Sequence, residues 1–124
     1  MRTFALLALI PTVALAQDHV HPAGKPEKLG RVSFKVSCAP ATQPKFERAV
    51  AMLHSFWFEA ADKAFSDIIA SDSSCALAYW GRAITLMGNP MTRLPASADR
   101  QKAGLALALR AKEQIGRASC RERV

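Results

Sequence analysis

Phe46-Glu47-Arg48-Ala49-Val50-Ala51-Met52-Leu53 is echoed 34 residues later by Trp80-Gly81-Arg82-Ala83-Ile84-Thr85-Leu86-Met87. Phe46 pairs with Trp80, Arg48 with Arg82, Ala49 with Ala83, Val50 with Ile84, Met52 with Leu86 and Leu53 with Met87. Phe46, Ala49, Val50 and Leu53 stand at i, i+3, i+4 and i+7, the spacing of one face of an amphipathic helix. A period of about 34 is the length of one helix–turn–helix repeat. The expected fold is therefore all-α, built from stacked helix pairs. The expected activity is binding on a surface, not catalysis in a pocket.

Four helices follow from the punctuation around this stretch. The first is expected from Gln43 to about Phe56, with Thr42 as its cap and Pro44 in its first turn, where a missing N–H costs nothing. Its inward face is Phe46, Ala49, Val50, Leu53 and Trp57. The second runs from about Glu59 to Ala70, with Ala61, Phe65 and Ile68 inward. Ser71-Asp72-Ser73-Ser74 is a turn rich in capping side chains. The third runs from Cys75 to Met87, packing through Tyr79, Trp80, Ala83 and Met87, and Gly88-Asn89-Pro90 stops it. The fourth starts near Ser97 and buries Leu105, Ala108 and Leu109. Ala49, Ala61 and Ala83 keep the helix crossings short of bulk, so the axes approach closely. Upstream, residues 17–41 form an arm. Gln17 to Gly30 is polar and flexible. Val32, Phe34 and Val36 alternate with Ser33, Lys35 and Ser37, the period of an extended, strand-like stretch.

Both ends read differently from the middle. Arg2, the apolar run Phe4 to Ile10 and the small-x-small triplet Ala14-Leu15-Ala16 make residues 1–16 a secretory signal peptide cleaved after Ala16. The run is broken at Pro11 and is too short to span a bilayer, so no stable membrane anchor is expected after cleavage. Ile115 to Val124 resembles the translated read-through of a common short-read sequencing adapter, all ten residues in one frame. Residues 115–124 are therefore read as a non-native tail, and the helical repeat region, 42–114, as truncated at or just before Gln114. The alternative is a genuine basic tail.

The 124-residue chain has a formal net charge of +7. Setting aside Arg2 and the tail (Arg117, Arg121 and Arg123 against Glu122) leaves thirteen basic and nine acidic side chains in residues 17–114, a net +4. They are dispersed, without the clustered footprint that a nucleic-acid partner needs. Without Cys120 two cysteines remain, Cys38 and Cys75. An even count in an exported chain reads as a disulfide; the alternative is two small buried thiols. No Cys-x-x-Cys is present.

Ser37-Cys38-Ala39-Pro40, then Phe46 to Phe58 (FERAVAMLHSFWF), then Cys75-Ala76-Leu77-Ala78-Tyr79-Trp80-Gly81 resembles the ordered motif series of a group of exported bacterial tetratricopeptide repeat proteins. The resemblance covers roughly residues 30–90. It implies an α-solenoid and a binding role in a periplasmic or secreted protein, and supplies neither substrate nor catalytic residues. Ser73 departs from it where such repeats prefer proline, which loosens the turn. Arg82 departs where an apolar residue is common, which places that side chain on the surface.

Candidate sites are few, and each has a plain structural counterpart. Arg48 and Arg82, one repeat apart, can form a ladder that holds a partner's carboxylate; otherwise they are two solvated arginines. His54 contacts a ligand or metal, or else bonds a backbone carbonyl at a hairpin turn. A lone histidine lacks the other ligands of a zinc site. Trp57, Tyr79 and Trp80 make an aromatic binding surface or belong to the core. After cleavage at Ala16, the new amino terminus, two amides and the His19 imidazole of Gln17-Asp18-His19 can bind Cu(II) in a square-planar set; otherwise His19 and His21 sit in a polar arm. No catalytic constellation, phosphate loop or further metal cluster is present in the sequence, and no cofactor is called for. The expected function is protein or peptide binding on the concave face of the solenoid. The alternative is the N-terminal helical scaffold of an exported enzyme or metal-handling protein.

Overall fold

The computed structural model describes residues 28–121 apart from position 93, with side chains described as far as Arg117. The signal segment, His19 and His21 lie outside the described residues. Four α-helices follow one another: α1 (Gln43–His54), α2 (Phe58–Ser71), α3 (Ala76–Met87) and α4 (Ala98–Arg121). Short 3-10 turns at Pro40–Thr42 and Pro90–Thr92 lead into α1 and out of α3. The helices pack in chain order, α1 on α2, α2 on α3 and α3 on α4, and α1 also reaches α3. Continuous α4 crosses the expected tail boundary at Gln114–Ile115.

Thr42 does not cap α1. It is the buried last residue of the preceding 3-10 turn, in helical backbone geometry, and its side chain makes no capping bond. Pro44 does occupy the first turn. The helix ends at His54, before Phe56, because Phe56 turns left-handed with φ 61°. The Trp57 N–H then donates to the Met52 carbonyl (3.0 Å) and the Phe56 N–H to the Leu53 carbonyl (3.1 Å), the paired bonds of a Schellman turn. Glycine usually fills that place. A side chain there costs roughly 1–2 kcal/mol.

The core lies where α1, α2 and α3 meet. Phe46 and Phe65 are fully buried and meet edge to face with ring centroids 5.8 Å apart. Ala49, Ala61, Ile68 and Ala78 close around them. Gly81 is required by this contact: a Cβ there would run into Cε1, Cζ and Cε2 of the Phe65 ring. Thr85 is the buried polar member, and its hydroxyl lies 2.7 Å from the Arg82 carbonyl and 3.2 Å from Asp62 Oδ1. Gly88, with φ 76°, ends α3, and Arg100 of α4 donates to the released carbonyls of Leu86 (3.0 Å) and Thr85 (3.1 Å). A cation among helix-end carbonyls is favourable both as a donor and against the dipole.

Three packing expectations are corrected. Trp57, Trp80 and Met87 are exposed, not core. Apolar residues occupy three sides of α3, and its neighbours take the sides that carry Ala78, Gly81 and Thr85 and Tyr79 and Ala83. In α4, Leu105, Ala108 and Leu109 point outward. The face that carries Gly104, Leu107, Ala111 and Gln114 is the shielded one, and Gly104 lies close against Ala83 and Leu86. A smooth, glycine-bearing face lets α4 approach α3 more closely than a leucine ridge. The arm 32–36 forms no strand. Its backbone is paired by side chains of α1 instead: Gln43 Nε2 donates to the Phe34 carbonyl (2.8 Å), Gln43 Oε1 accepts the Val36 N–H (3.1 Å) and Glu47 Oε1 accepts the Phe34 N–H (3.3 Å). One side-chain amide supplies the donor and the acceptor that a neighbouring strand would supply. Leu29, Val32 and Val36 pack on the core behind these bonds, and the Phe34 ring lies 5.7 Å from Phe46.

Candidate functional site

The sequence-derived binding residues do not converge on one pocket. Arg48 sits on α1 beside an open groove lined by Lys45, Ala64, Asp67 and Ile68, and its guanidinium contacts Met52 Sδ at 3.7 Å. Arg82 is half-buried between α2 and α3, where its Nε donates to Asp62 Oδ1 at 3.0 Å. The expected surface position of Arg82 is thereby corrected. Its charge is already matched by α2, so it does not stand ready for a partner's carboxylate. No ladder of two unengaged arginines exists, because α2 supplies the anion for the second rung.

His54 and Trp57 flank the same turn between α1 and α2. His54 is the exposed last residue of α1, and its imidazole makes no hydrogen bond among the described residues. Trp57 is exposed at the start of α2. Between them stands Phe56, where the sequence pattern ends the first helix. It is exposed, left-handed and meets Phe58 edge to face at 6.1 Å. Tyr79 is buried, and its hydroxyl donates to the Ser73 carbonyl at 3.1 Å. It belongs to the packing, and Trp80 does not. The aromatic surface is therefore split into a turn (Phe56, Trp57) and a helix face (Trp80).

Cys38 and Cys75 form a disulfide with 4.9 Å between Cα atoms. It joins the arm to the residue that precedes α3. Asp72 lies beside it. Its Oδ2 accepts the Ala39 N–H (2.8 Å), and its Oδ1 accepts the Ser74 hydroxyl (2.6 Å) and the Ser74 N–H (3.1 Å). Both carboxylate oxygens thus hold the arm and the α2–α3 turn together. Cys38, Asp72 and Cys75 bring three potential metal-ligand atoms, two sulfurs and one carboxylate oxygen, within 4.8 Å of one another. The disulfide withdraws both thiolates from any such use.

The Ser74 hydroxyl, followed by the Ala39 N–H, holds the Asp72 carboxyl below its ordinary value of 3.8, against the opposing effect of burial. A depressed folded-state value contributes stability above the unfolded value and loses it as pH falls through the folded one. Acid unfolding should therefore begin below about pH 4 in part through Asp72. Asp72→Asn keeps the shape and removes the titration, so its stability should vary less with pH over that interval. Urea midpoints at several pH values test this, and parallel curves for the two proteins contradict it.

No protein-family model matches the chain, and neither a curated protein nor a solved structure shows significant similarity to it. Among the described residues no helix is long and apolar enough to cross a membrane.

Proposed function

We propose that this protein is an exported, tetratricopeptide-like helical repeat protein that binds a protein or peptide partner in the bacterial periplasm or outside the cell. The observation that carries this function is the 34-residue echo between α1 and α3, together with helices that pack in chain order. Repeats of this kind stack helix pairs and work through extended surfaces. The disulfide between Cys38 and Cys75 supports an oxidising compartment. The exposed aromatic residues Phe56, Trp57 and Trp80 supply the rigid apolar contacts that protein interfaces favour.

Peptides selected from a displayed random library against the immobilised full chain should bind it in calorimetry after resynthesis, at micromolar dissociation constants. A selection that returns no peptide able to bind in solution overturns the proposal.

A further inference from the structure

The Cys38–Cys75 bridge joins residues that the fold also holds together without it. Asp72 and Cys75 belong to one turn, closed by the Cys75 N–H donating to the Asp72 carbonyl (3.1 Å). Two residues separate them, a spacing at which zinc-binding turns place a pair of ligands. Cys38 comes from the arm and is pinned on both sides. The Val36 N–H donates to Gln43 Oε1 (3.1 Å), and the Ala39 N–H donates to Asp72 Oδ2 (2.8 Å). Opening the bridge therefore leaves Cys38 beside the same turn.

The two sulfurs and an Asp72 oxygen lie within 4.8 Å of one another. Tetrahedral zinc, with bonds of about 2.0–2.3 Å, sets neighbouring ligand atoms roughly 3.5–3.8 Å apart. Once the sulfurs are no longer bonded, side-chain rotation covers that difference. The Asp72 carboxylate is already aimed. It accepts three hydrogen bonds, one from Ala39 and two from Ser74. An ionised carboxylate offers about four acceptor positions, so one remains for a metal. Outer bonds of this kind fix the orientation of a metal ligand. Cys75 directly precedes α3, where the helix dipole favours a thiolate. Cys75 is buried, while Cys38 and Asp72 are half-buried, so the cluster is shielded on one side and reachable from the other.

We propose that the dithiol form of this protein binds one Zn(II) through Cys38, Asp72 and Cys75, so that disulfide and zinc are mutually exclusive clasps between the arm and the α2–α3 turn. The dithiol exists before the bridge is made, and again when a dithiol reductant opens it. In that exchange the two thiols of the reductant become a disulfide, and Cys38 and Cys75 each gain a hydrogen. Zinc then sends those two protons to water as two Zn–S bonds and one Zn–O bond form, and a water completes the tetrahedron. Two thiolates select zinc over magnesium or calcium, which take oxygen ligands. The site stands independently of the peptide-binding function proposed above.

The test uses the full chain carrying Cys120→Ser, reduced and then freed of reductant without air. Cobalt(II) is the coloured probe for the zinc geometry. It should give a thiolate-to-cobalt charge-transfer band and the visible bands of a tetrahedral site, saturating at one ion per chain and bleached by one equivalent of zinc. The oxidised chain should give neither. Asp72→Asn should weaken zinc about tenfold or more, since loss of even an outer partner of a zinc ligand costs that much. Asp72→Cys should restore the affinity and add charge-transfer intensity, which a residue needed only to accept the Ala39 and Ser74 bonds would not do. Zinc should also slow deuterium exchange at the Phe34 and Val36 N–H groups of the reduced chain. Absence of the charge-transfer band overturns the site. So does equal affinity in the urea-unfolded reduced chain, because the two thiols then bind without the fold. Zinc binding that leaves exchange of the arm unchanged overturns it as well, because Cys38 is then not a ligand.

Discussion

Phe65→Ala should lower the unfolding free energy by about 3–5 kcal/mol. A domain of this size is held by roughly 5–15 kcal/mol in total, so this one ring carries a large share. Phe65 is fully buried where three helices meet. Its ring lies against Phe46 of α1 and fills the space left by the missing side chain of Gly81 in α3. Truncation removes both contacts and leaves a cavity bounded by a helix backbone, which cannot collapse without moving α3. The same geometry predicts a coupling. Gly81→Ala alone should destabilise the protein by about 1–3 kcal/mol, because the added methyl meets the ring and not an open space. In the Phe65→Ala background the same change should cost much less or help, since the methyl then enters the cavity. Contacting residues are expected to depart from additivity in this way. Urea denaturation followed by circular dichroism reads all four proteins. Equal Gly81→Ala penalties in the two backgrounds contradict the ring-to-backbone contact.

The sequence made the helices legible and left their outward faces ambiguous. Pro44, Asp72 and Gly88 stand close to real boundaries because each acts on its own backbone. The stripe Phe46, Ala49, Val50, Leu53 is buried as its spacing predicts. Spacing states which residues share a face, not whether a neighbour arrives to cover it. Trp80 and Met87 stand exposed on α3, while Ile84 beside them packs against the core. In α4 the run Leu105-Ala106-Leu107-Ala108-Leu109 is apolar all round, and the choice of Gly104, Leu107 and Ala111 for the interior depends on backbone approach to α3. Arg82 was unreadable for a related reason. Its partner Asp62 lies twenty residues away on α2, and nothing local announces an ion pair across a hairpin. The arm shows the same limit. Alternation at Val32, Phe34 and Val36 signals an extended backbone but not that a glutamine from a helix bonds it. The left-handed Phe56 had no signal at all, since glycine is the residue that marks such a turn.

Reduction of the Cys38–Cys75 disulfide should destabilise the protein by about 4 kcal/mol, the chain-entropy value for a loop of this length, given a sequence separation of 37. At roughly 4–8 °C per kcal/mol for a chain of this size, the thermal midpoint should fall by about 15 °C or more. The bridge matters for a local reason as well. It sits where the arm meets the start of α3, and beside it Asp72 accepts the Ala39 N–H. Without the covalent link, the arm is retained by that bond, by the Gln43 and Glu47 side chains and by the apolar contacts of Leu29, Val32 and Val36. Each hydrogen bond adds only about 0.5–1.5 kcal/mol net. Release of the arm would uncover α1 and free Phe34 from Phe46. The backbone N–H groups of Phe34 and Val36 should therefore exchange with deuterium well before those of α2 and α3 in the reduced protein, and together with the core in the oxidised one. Cys38→Ala with Cys75→Ala should reproduce the reduced behaviour without a reductant. An unchanged midpoint on reduction would mean that the helices hold the arm unaided. Loss of the whole protection pattern at once would mean that the arm and the core unfold as one unit, with α1 unable to stay packed once the arm is gone.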